Sequence, residues 1–264
     1  MLTRRERLKK VFKGARQRLR RYGGPKVPVF LFGEMRSGTN MLLDCFDASP
    51  DTEIFNETDD RAFVDYELRT SVEIERLIVS SLASHVVFKP TADGNTADAI
   101  MDGHKGSRGI WIYRNYVDAV NSATERWVQH NEYIRLILEE PEKARWRARN
   151  VSPAQMDMLR SHYSRKVSEQ SARALIWFLR NSFYFECGLD RRSDIQLVSY
   201  ERAVQSPDRH VGRAFEHCGL RFQPAYTRKM FESSVGRLQK PEIDAAIEKL
   251  CLELIAKLDS RLQA

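Results

Sequence analysis

The segment at residues 28–46, PVFLFGEMRSGTNMLLDCF, constrains the fold of this chain more than any other. Residues 29–32 form an unbroken apolar run, which is typical of a strand buried on both faces of a parallel sheet. A glycine-bearing loop follows, and then Leu42, Leu43 and Phe46 recur at helical spacing. A strand, a glycine loop and a helix make the first half of a βαβ unit. The segment therefore predicts an α/β fold.

Three more runs, at residues 85–88, 109–113 and 195–200, have the apolar character of sheet strands. Between the last two lies a helical pattern at about residues 166–185, with an apolar face that includes Leu175 and Leu179. Strands that alternate with helices indicate a mainly parallel sheet covered by helices. We therefore expect a P-loop-like three-layer α/β fold, with a mainly parallel central sheet flanked by helices.

The basic charge of the chain is concentrated at its start. The 264 residues carry a net charge of +7, but residues 1–26 hold eleven lysines and arginines against one glutamate, and the rest is slightly acidic. We expect residues 1–26 to be a basic N-terminal extension and residues 27–264 to form one domain. The extension has a thin apolar stripe among its cations, which could make a peripheral contact with an anionic membrane. The alternative is that the extension is a solvated segment.

The distribution of apolar residues and cysteines predicts a cytoplasmic protein. No run approaches the roughly 18 apolar residues of a spanning helix, and the start lacks the apolar core of a signal peptide. The four cysteines are widely spaced and form no C-x-x-C pair. This spacing favours reduced, buried thiols over a structural zinc site.

The loop GEMRSGTN departs from the phosphate-binding loop that it resembles in spacing. Gly33 and Gly38 stand where G-x-x-x-x-G-K-[ST] requires glycines. Thr39 and Asn40 replace the lysine and the magnesium-binding hydroxyl, and Arg36 lies inside the loop. The loop thus predicts a phosphate-like ligand held without those two groups. A P-loop kinase-like phosphotransferase is the alternative within the enzymes.

Cationic residues follow three of the predicted strands at the point where each strand ends. Arg36 follows the first strand, Lys89 the second and Arg114 the third. Ligands of parallel α/β sheets bind beyond the carboxyl ends of the strands. We therefore expect these three cations to converge on one polyanionic ligand.

Three blocks of the sequence resemble sulfotransferases that use 3′-phosphoadenosine 5′-phosphosulfate (PAPS), in the branch of tyrosylprotein enzymes and bacterial carbohydrate or small-molecule enzymes. FLFGEMRSGTNMLLDCF is similar to the 5′-phosphosulfate loop of that family, whose core is R-S-G-T. WIYRNYVDAVNSA resembles its 3′-phosphate block, I-Y-R-N-x-x-D-x-x-x-S. LVSYERAVQSP resembles its Y-E-x-L-x-x-x-P segment. The resemblance extends over about residues 27–222.

The resemblance implies PAPS as the cofactor and adenosine 3′,5′-bisphosphate as its product, with no metal. The leaving bisphosphate is already a stable anion, so loss of the magnesium ligand is consistent with sulfuryl transfer. Arg36 would stabilise the bridging oxygen, where charge develops. The residues implied in binding the cofactor at the 5′ end are Arg36, Ser37, Gly38, Thr39 and Asn40. Arg114 and Ser122 are implied at the 3′-phosphate, and Arg237 at the 3′-phosphate or the ribose.

The resemblance also implies a catalytic set of Glu57, Arg36 and Lys89. Glu57 lies twenty-one residues beyond Arg36, the spacing expected for the base of tyrosylprotein-type enzymes. Glu53 is the rival base, because some bacterial relatives read G-E-I-F-N at this point. Lys89 would donate a hydrogen bond to the sulfuryl or leaving oxygen. The implied reaction is an in-line displacement by an acceptor hydroxyl.

The acceptor is expected to be a carbohydrate, a glycolipid or another small molecule. Its pocket would come from residues 57–75 and 125–170, where aromatic side chains suit a sugar face. These segments mix aromatic and charged residues, among them Phe63, Tyr66, Trp127, Tyr133, Trp146, His162 and Tyr163. A different class of function stays open, a nucleic-acid or anionic-membrane binder acting through residues 1–26. No motif for reading a specific nucleic acid accompanies that extension.

Overall fold

The computed structural model describes residues 13–15, 17–19, 22–125, 129–228, 230 and 239–262. Its strands are β1 Val27–Gly33, β2 Thr52–Phe55, β3 Phe63–Val64, β4 Glu67–Leu68, β5 His85–Phe88, β6 Arg108–Tyr113 and β7 Ile195–Ser199. Five of them form a sheet in the order β2-β5-β1-β6-β7, and every neighbouring pair is parallel. The other two, β3 and β4, make a short antiparallel hairpin. The predicted α/β class with a parallel central sheet is confirmed.

Helices connect and cover these strands. They are α1 Thr39–Ala48, α2 Ser71–Ser80, α3 Ala97–Gly103, α4 Tyr116–Thr124, α5 His130–Glu139, α6 Pro141–Ala144, α7 Pro153–His162, α8 Glu169–Glu186, α9 Tyr200–Gln205, α10 Pro207–His217 and α11 Ala245–Arg261. Single 3-10 turns lie at Gly94–Thr96, Arg145–Arg147, Leu189–Arg191 and Pro224–Tyr226.

Successive side chains of β1 point to opposite faces of the sheet, and the core therefore has two parts, one on each face. Val29 and Leu31 of β1 pack with α1, α9 and α10 on one face of the sheet. Phe30 and Phe32 point to the other face, where α2, α3, α4 and α8 contribute buried apolar side chains. Because successive strand residues point to opposite faces, an apolar run buries both. The result is the predicted arrangement of three layers.

Two elements of the sheet region differ from the sequence prediction. Strand β2, Thr52–Phe55, pairs with β5 at the edge of the sheet, and the sequence did not indicate it. The predicted strand at 195–200 ends at Ser199, because Tyr200 already begins α9. Glu53, the rival base, therefore lies within a strand rather than in a loop.

The start of the chain is described in part. Residues 13–15 and 17–19 are helical. Lys13 Nζ donates to the Asp47 carboxylate at 2.9 Å, and Gln17 Nε2 donates to the carbonyl of Pro50 at 3.0 Å. None of the helices in the described ranges is both long enough and apolar enough to span a bilayer. The role of residues 1–26 and the cytoplasmic location stay predictions.

Helix α1 directly follows the glycine loop, and Phe46 anchors this helix against α10. The Phe46 ring is fully buried and stacks on Phe215 of α10, with centroids 4.5 Å apart and ring planes 5° from parallel. Replacing it removes the stacking and leaves a cavity at the junction of two helices. The position of the loop therefore depends on this aromatic pair.

We predict that Phe46→Ala lowers the free energy of unfolding by about 3–5 kcal/mol, as large-to-small core changes do. The matched control is Leu252→Ala, at a side chain that is 51% exposed, and it should change stability by about 0.5 kcal/mol or less. Urea unfolding followed by circular dichroism measures both. Equal losses in the two variants would contradict the assignment of Phe46 as an anchor.

Candidate active site

The glycines of the loop are required by close packing. Gly38 has φ +92°, and a Cβ atom there would lie 2.2 Å from Cδ2 of Tyr200. Gly33 has φ +147°, and its Cβ would lie 2.4 Å from the carbonyl oxygen of Ile112 on β6. Both distances are far below van der Waals contact, so only glycine fits. Arg36 adopts φ 72°, a left-handed conformation that is uncommon for a residue with a side chain.

This loop brings Arg36 beside the residues that follow β6. Arg36 Nε donates to the Ser122 hydroxyl at 2.9 Å, and Arg114 Nη1 lies 3.4 Å from the carbonyl oxygen of Arg36. The Arg114 guanidinium lies over the ring of Tyr200, 4.6 Å from its centroid. Arg36, Arg114 and Ser122, which the resemblance places at the two ends of the cofactor, are thus neighbours at one edge of the sheet.

The Y-E pair, Tyr200 and Glu201, directly follows β7 and contacts Arg114 and its neighbour Asn115. Glu201 accepts a hydrogen bond from the backbone N–H of Asn115 at 2.9 Å, at the start of α4. Burial raises the pKa of the Glu201 carboxyl, although its hydrogen bonds oppose that rise. Asp118 lies 3.8 Å from Arg114 as an i,i+4 pair. The hydrogen bond from the Asn115 N–H to Glu201 therefore fixes the turn that directly follows Arg114.

Lys89 occupies the end of β5, between the glycine loop and Glu57. Its side chain is only 2% exposed. Nζ donates to Oδ1 of Asn40, and it lies 2.5 Å from a carboxylate oxygen of Glu57. Glu53 lies 4.0 Å from Arg61 and is not among the described residues that line the neighbouring cavity. Of the two candidate bases, Glu57 is the one that faces this cavity.

A cavity of about 420 Å³ opens beside Lys89 and the loop. Tyr66, Tyr133 and Trp146, three of the predicted pocket aromatics, line it. Phe63 is buried in the main core instead, His162 and Tyr163 are not on the described lining, and Trp127 lies outside the described residues. His130, which lies within the predicted segment 125–170 but was not singled out there, also reaches the lining.

The sequence interpretation missed the buried charges at the base of the cavity. Glu34 pairs with Arg173 of α8 at 2.5 Å, and both are nearly inaccessible to solvent. Arg173 Nη2 also donates to the carbonyl of Met35 at 3.1 Å. Arg180, two turns further along α8, lines the same cavity. Arginines at apolar positions of a buried helix were the one signal that could have found them.

Ser37 has the features of a ligand-binding hydroxyl. It is fully buried, and its Oγ has no hydrogen-bond partner among the described residues. Buried polar groups are nearly always hydrogen-bonded, so this hydroxyl can bond to a group from outside the chain. A phosphate oxygen fits that position, and the nearby Arg36 and Lys89 match its charge. Arg237, the remaining predicted ligand, lies outside the described residues.

We predict that Gly38→Ala lowers the melting temperature much more than Gly106→Ala does. Both glycines have positive φ, so both variants carry the strain of a left-handed residue, about 1–2 kcal/mol. A Cβ at Gly106 meets nothing within 4 Å, whereas one at Gly38 meets the Tyr200 ring. Thermal unfolding measures the difference, and equal shifts would show that the Tyr200 contact does not restrict this position.

No protein-family model matches the chain, and no curated protein sequence does. Solved structures do match. A sulfotransferase domain from the curacin biosynthetic pathway is 11% identical and covers 88% of this chain and 98% of its own, with a TM-score of 0.55. The sulfotransferase domain from the Synechococcus PCC 7002 olefin synthase is 13% identical, with coverage of 90% and 97% and a TM-score of 0.52.

A sulfotransferase from Alicyclobacillus acidocaldarius is 17% identical over 91% of this chain and 95% of its own, with a TM-score of 0.49. The two domains with TM-scores above 0.5 match nearly their whole length, so the similarity is one of overall architecture. The chain has the fold of these sulfotransferase domains.

Proposed function

We propose that this protein is a PAPS-dependent sulfotransferase, which transfers a sulfuryl group to an acceptor hydroxyl. The observation that carries the proposal is the position of Lys89, which contacts Asn40 of the glycine loop on one side and Glu57 on the other. A cation thereby joins the loop that would hold the donor to a carboxylate that faces the cavity. The fold shared with sulfotransferase domains supports the same reaction.

The residues at the edge of the sheet suit a doubly phosphorylated nucleotide. The backbone N–H groups at the start of α1 and the Ser37 hydroxyl would hold the 5′-phosphate, together with Thr39 and Asn40. Arg114 and Ser122 would hold the 3′-phosphate, where the arginine fork can donate two hydrogen bonds. Arg237 is proposed as a further ligand at that end. The glycine at position 38 allows the backbone of this loop to pack against the Tyr200 ring.

In the proposed reaction, bound PAPS supplies the sulfuryl group. Glu57 accepts the proton of the acceptor hydroxyl as its oxygen bonds to sulfur, and the bond from sulfur to the bridging oxygen breaks. Arg36 and Lys89 stabilise the negative charge that grows on the leaving oxygen. A guanidinium stays protonated throughout, so Arg36 acts without giving up a proton. Adenosine 3′,5′-bisphosphate and the sulfated acceptor are the products.

The acceptor proposed from the cavity is a carbohydrate, a glycolipid or another small molecule. A volume of about 420 Å³ is within the range of small-molecule sites. The half-exposed Tyr66 stands at the hairpin between β3 and β4, and Tyr133 and Trp146 also line the cavity. A P-loop kinase would require a lysine and a metal-binding hydroxyl where Thr39 and Asn40 stand.

A nucleotide titration tests the donor site. We predict that adenosine 3′,5′-bisphosphate raises the melting temperature without magnesium, because a ligand that binds only the folded state stabilises it. Arg114→Ala should weaken that binding at least about tenfold, through loss of charge-assisted hydrogen bonds. Arg261→Ala, which removes a surface pair with Asp190, is the control and should leave the affinity unchanged. Stabilisation by ATP with magnesium alone would favour the kinase-like alternative.

A second prediction concerns the base. Glu57→Gln should lower kcat by about 10²–10⁴, the usual contribution of general-base catalysis, while affinity for adenosine 3′,5′-bisphosphate stays nearly unchanged. Glu53→Gln is the matched control, because its carboxylate lies on β2 away from the cavity lining. The rates come from a screen of acceptors with labelled PAPS. Loss of turnover in Glu53→Gln alone would show that the base is misassigned.

A further inference from the structure

The cavity contains more cationic side chains than the proposed reaction uses. Five of its described residues are cationic and two are acidic; they are Arg36, Lys89, Arg147, Arg173, Arg180, Glu34 and Glu57. Glu57 pairs with Lys89, and Glu34 pairs with Arg173. Arg36 belongs to the glycine loop. The remaining two arginines on the lining, Arg147 and Arg180, have no role in the proposed reaction.

Arg180 is a buried donor that the described residues satisfy only in part. Its side chain belongs to a residue that is 6% exposed, and Nη2 donates to the carbonyls of Thr91 and Ala92 at 2.9 and 3.0 Å. Nη1 has no hydrogen-bond partner among the described residues. Burial lowers the pKa of Arg180 to about 10, so the group still carries its charge at neutral pH.

Arg147 and Arg180 share one aromatic ring. The guanidinium carbons lie 4.3 Å and 5.1 Å from the centroid of Trp146, and Arg147 also lies 4.3 Å from the ring of Tyr133. In the described part of the chain neither arginine makes a salt bridge within 4 Å. Two like charges near one ring repel each other, and an anion between them would offset that repulsion.

The two carboxylates whose charges act on Arg180, Glu34 and Asp93, are already engaged. Glu34 is bound to Arg173. Asp93 accepts a hydrogen bond from the backbone N–H of Leu68 at 2.9 Å and lies 3.6 Å from Arg149, and it is not on the described lining. Neither carboxylate therefore occupies the position where Arg180 Nη1 and Arg147 face the cavity. At that position, Arg180 Nη1 has no hydrogen-bond acceptor among the described residues.

We propose that Arg147 and Arg180 form an oxyanion subsite, and that the acceptor is a hydroxyl compound that also carries a carboxylate, phosphate or sulfate group. The hydroxyl group of the acceptor is inferred from the proposed sulfotransferase function. The anion subsite is inferred from the contacts of the two arginines and does not depend on that function. Arg180 binds carbonyls in the loop directly after Lys89, so the anion and the reacting hydroxyl lie in one cavity of small-molecule size. Acidic sugars and compact hydroxy acids are the class that fits.

The subsite is tested directly by the Nε–H signals of arginines in 15N-labelled full-length protein, titrated with acetate and with inorganic phosphate at constant ionic strength. Arg180→Lys and Arg147→Lys assign the two signals. If the Arg180 variant does not fold, contacts to the ring of Phe183, whose centroid lies 5.6 Å from the Arg180 guanidinium, assign the Arg180 signal. Both signals should shift saturably, while that of the surface residue Arg261 stays in place. Unmoved signals, or shifts that parallel Arg261, would overturn the subsite.

Acceptor selectivity is measured with labelled PAPS and matched pairs of acceptors: glucuronate with glucose, glycerol 3-phosphate with glycerol, and 4-hydroxyphenylacetate with its amide. We expect at least one anionic member to be preferred by about tenfold or more in kcat/KM, and Arg147→Gln to remove that preference. Equal transfer to neutral members overturns the acceptor class but leaves sulfuryl transfer standing. Binding of phosphate or acetate at Arg180 without transfer to any acceptor supports the subsite and counts against the proposed function.

Discussion

The ring of Tyr200 ties together the loops on which the site depends. Tyr200 follows β7, and its ring stands so close to Gly38 that a Cβ there would lie 2.2 Å away. The same ring supports the guanidinium of Arg114, which follows β6. Because β1, β6 and β7 are parallel neighbours, their carboxyl ends meet at one edge. One aromatic side chain therefore sets the spacing between the glycine loop and the arginine beside it.

One buried and one partly buried ion pair extend this arrangement away from Tyr200. Glu34 of the loop after β1 binds Arg173 of α8, and Lys89 at the end of β5 binds Glu57 beyond β2. Removing charges from water costs free energy that a buried pair only partly recovers, so such pairs are weak contributors to stability. Their presence at a cavity is better explained by positioning. Each pair joins a strand end to a different segment, and together they form the wall of the cavity.

The sequence predicted those parts of the molecule whose signals are local. The apolar runs of β1, β5, β6 and β7 and the glycine loop were readable, because strand burial and loop conformation impose residue types at fixed spacing. Strand β2 was not readable, since its four residues, TEIF, lie at the sheet edge and two of them are only partly buried. The base of the cavity was also missed. The partner of Arg173 lies 139 residues away in Glu34, and no local pattern encodes such a contact.

The contact between Arg36 and Ser122 changes how the two phosphate positions relate. The sequence assigned Arg36 to the bridging oxygen at the 5′ end and Ser122 to the 3′-phosphate, yet Nε and Oγ lie 2.9 Å apart. A serine hydroxyl accepts from one group and donates to another, and a guanidinium has five N–H donors in fixed directions. Ser122 can therefore accept from Arg36 while it donates to a phosphate. Under the proposed function, Ser122 would thus contact the nucleotide without losing its hydrogen bond from Arg36.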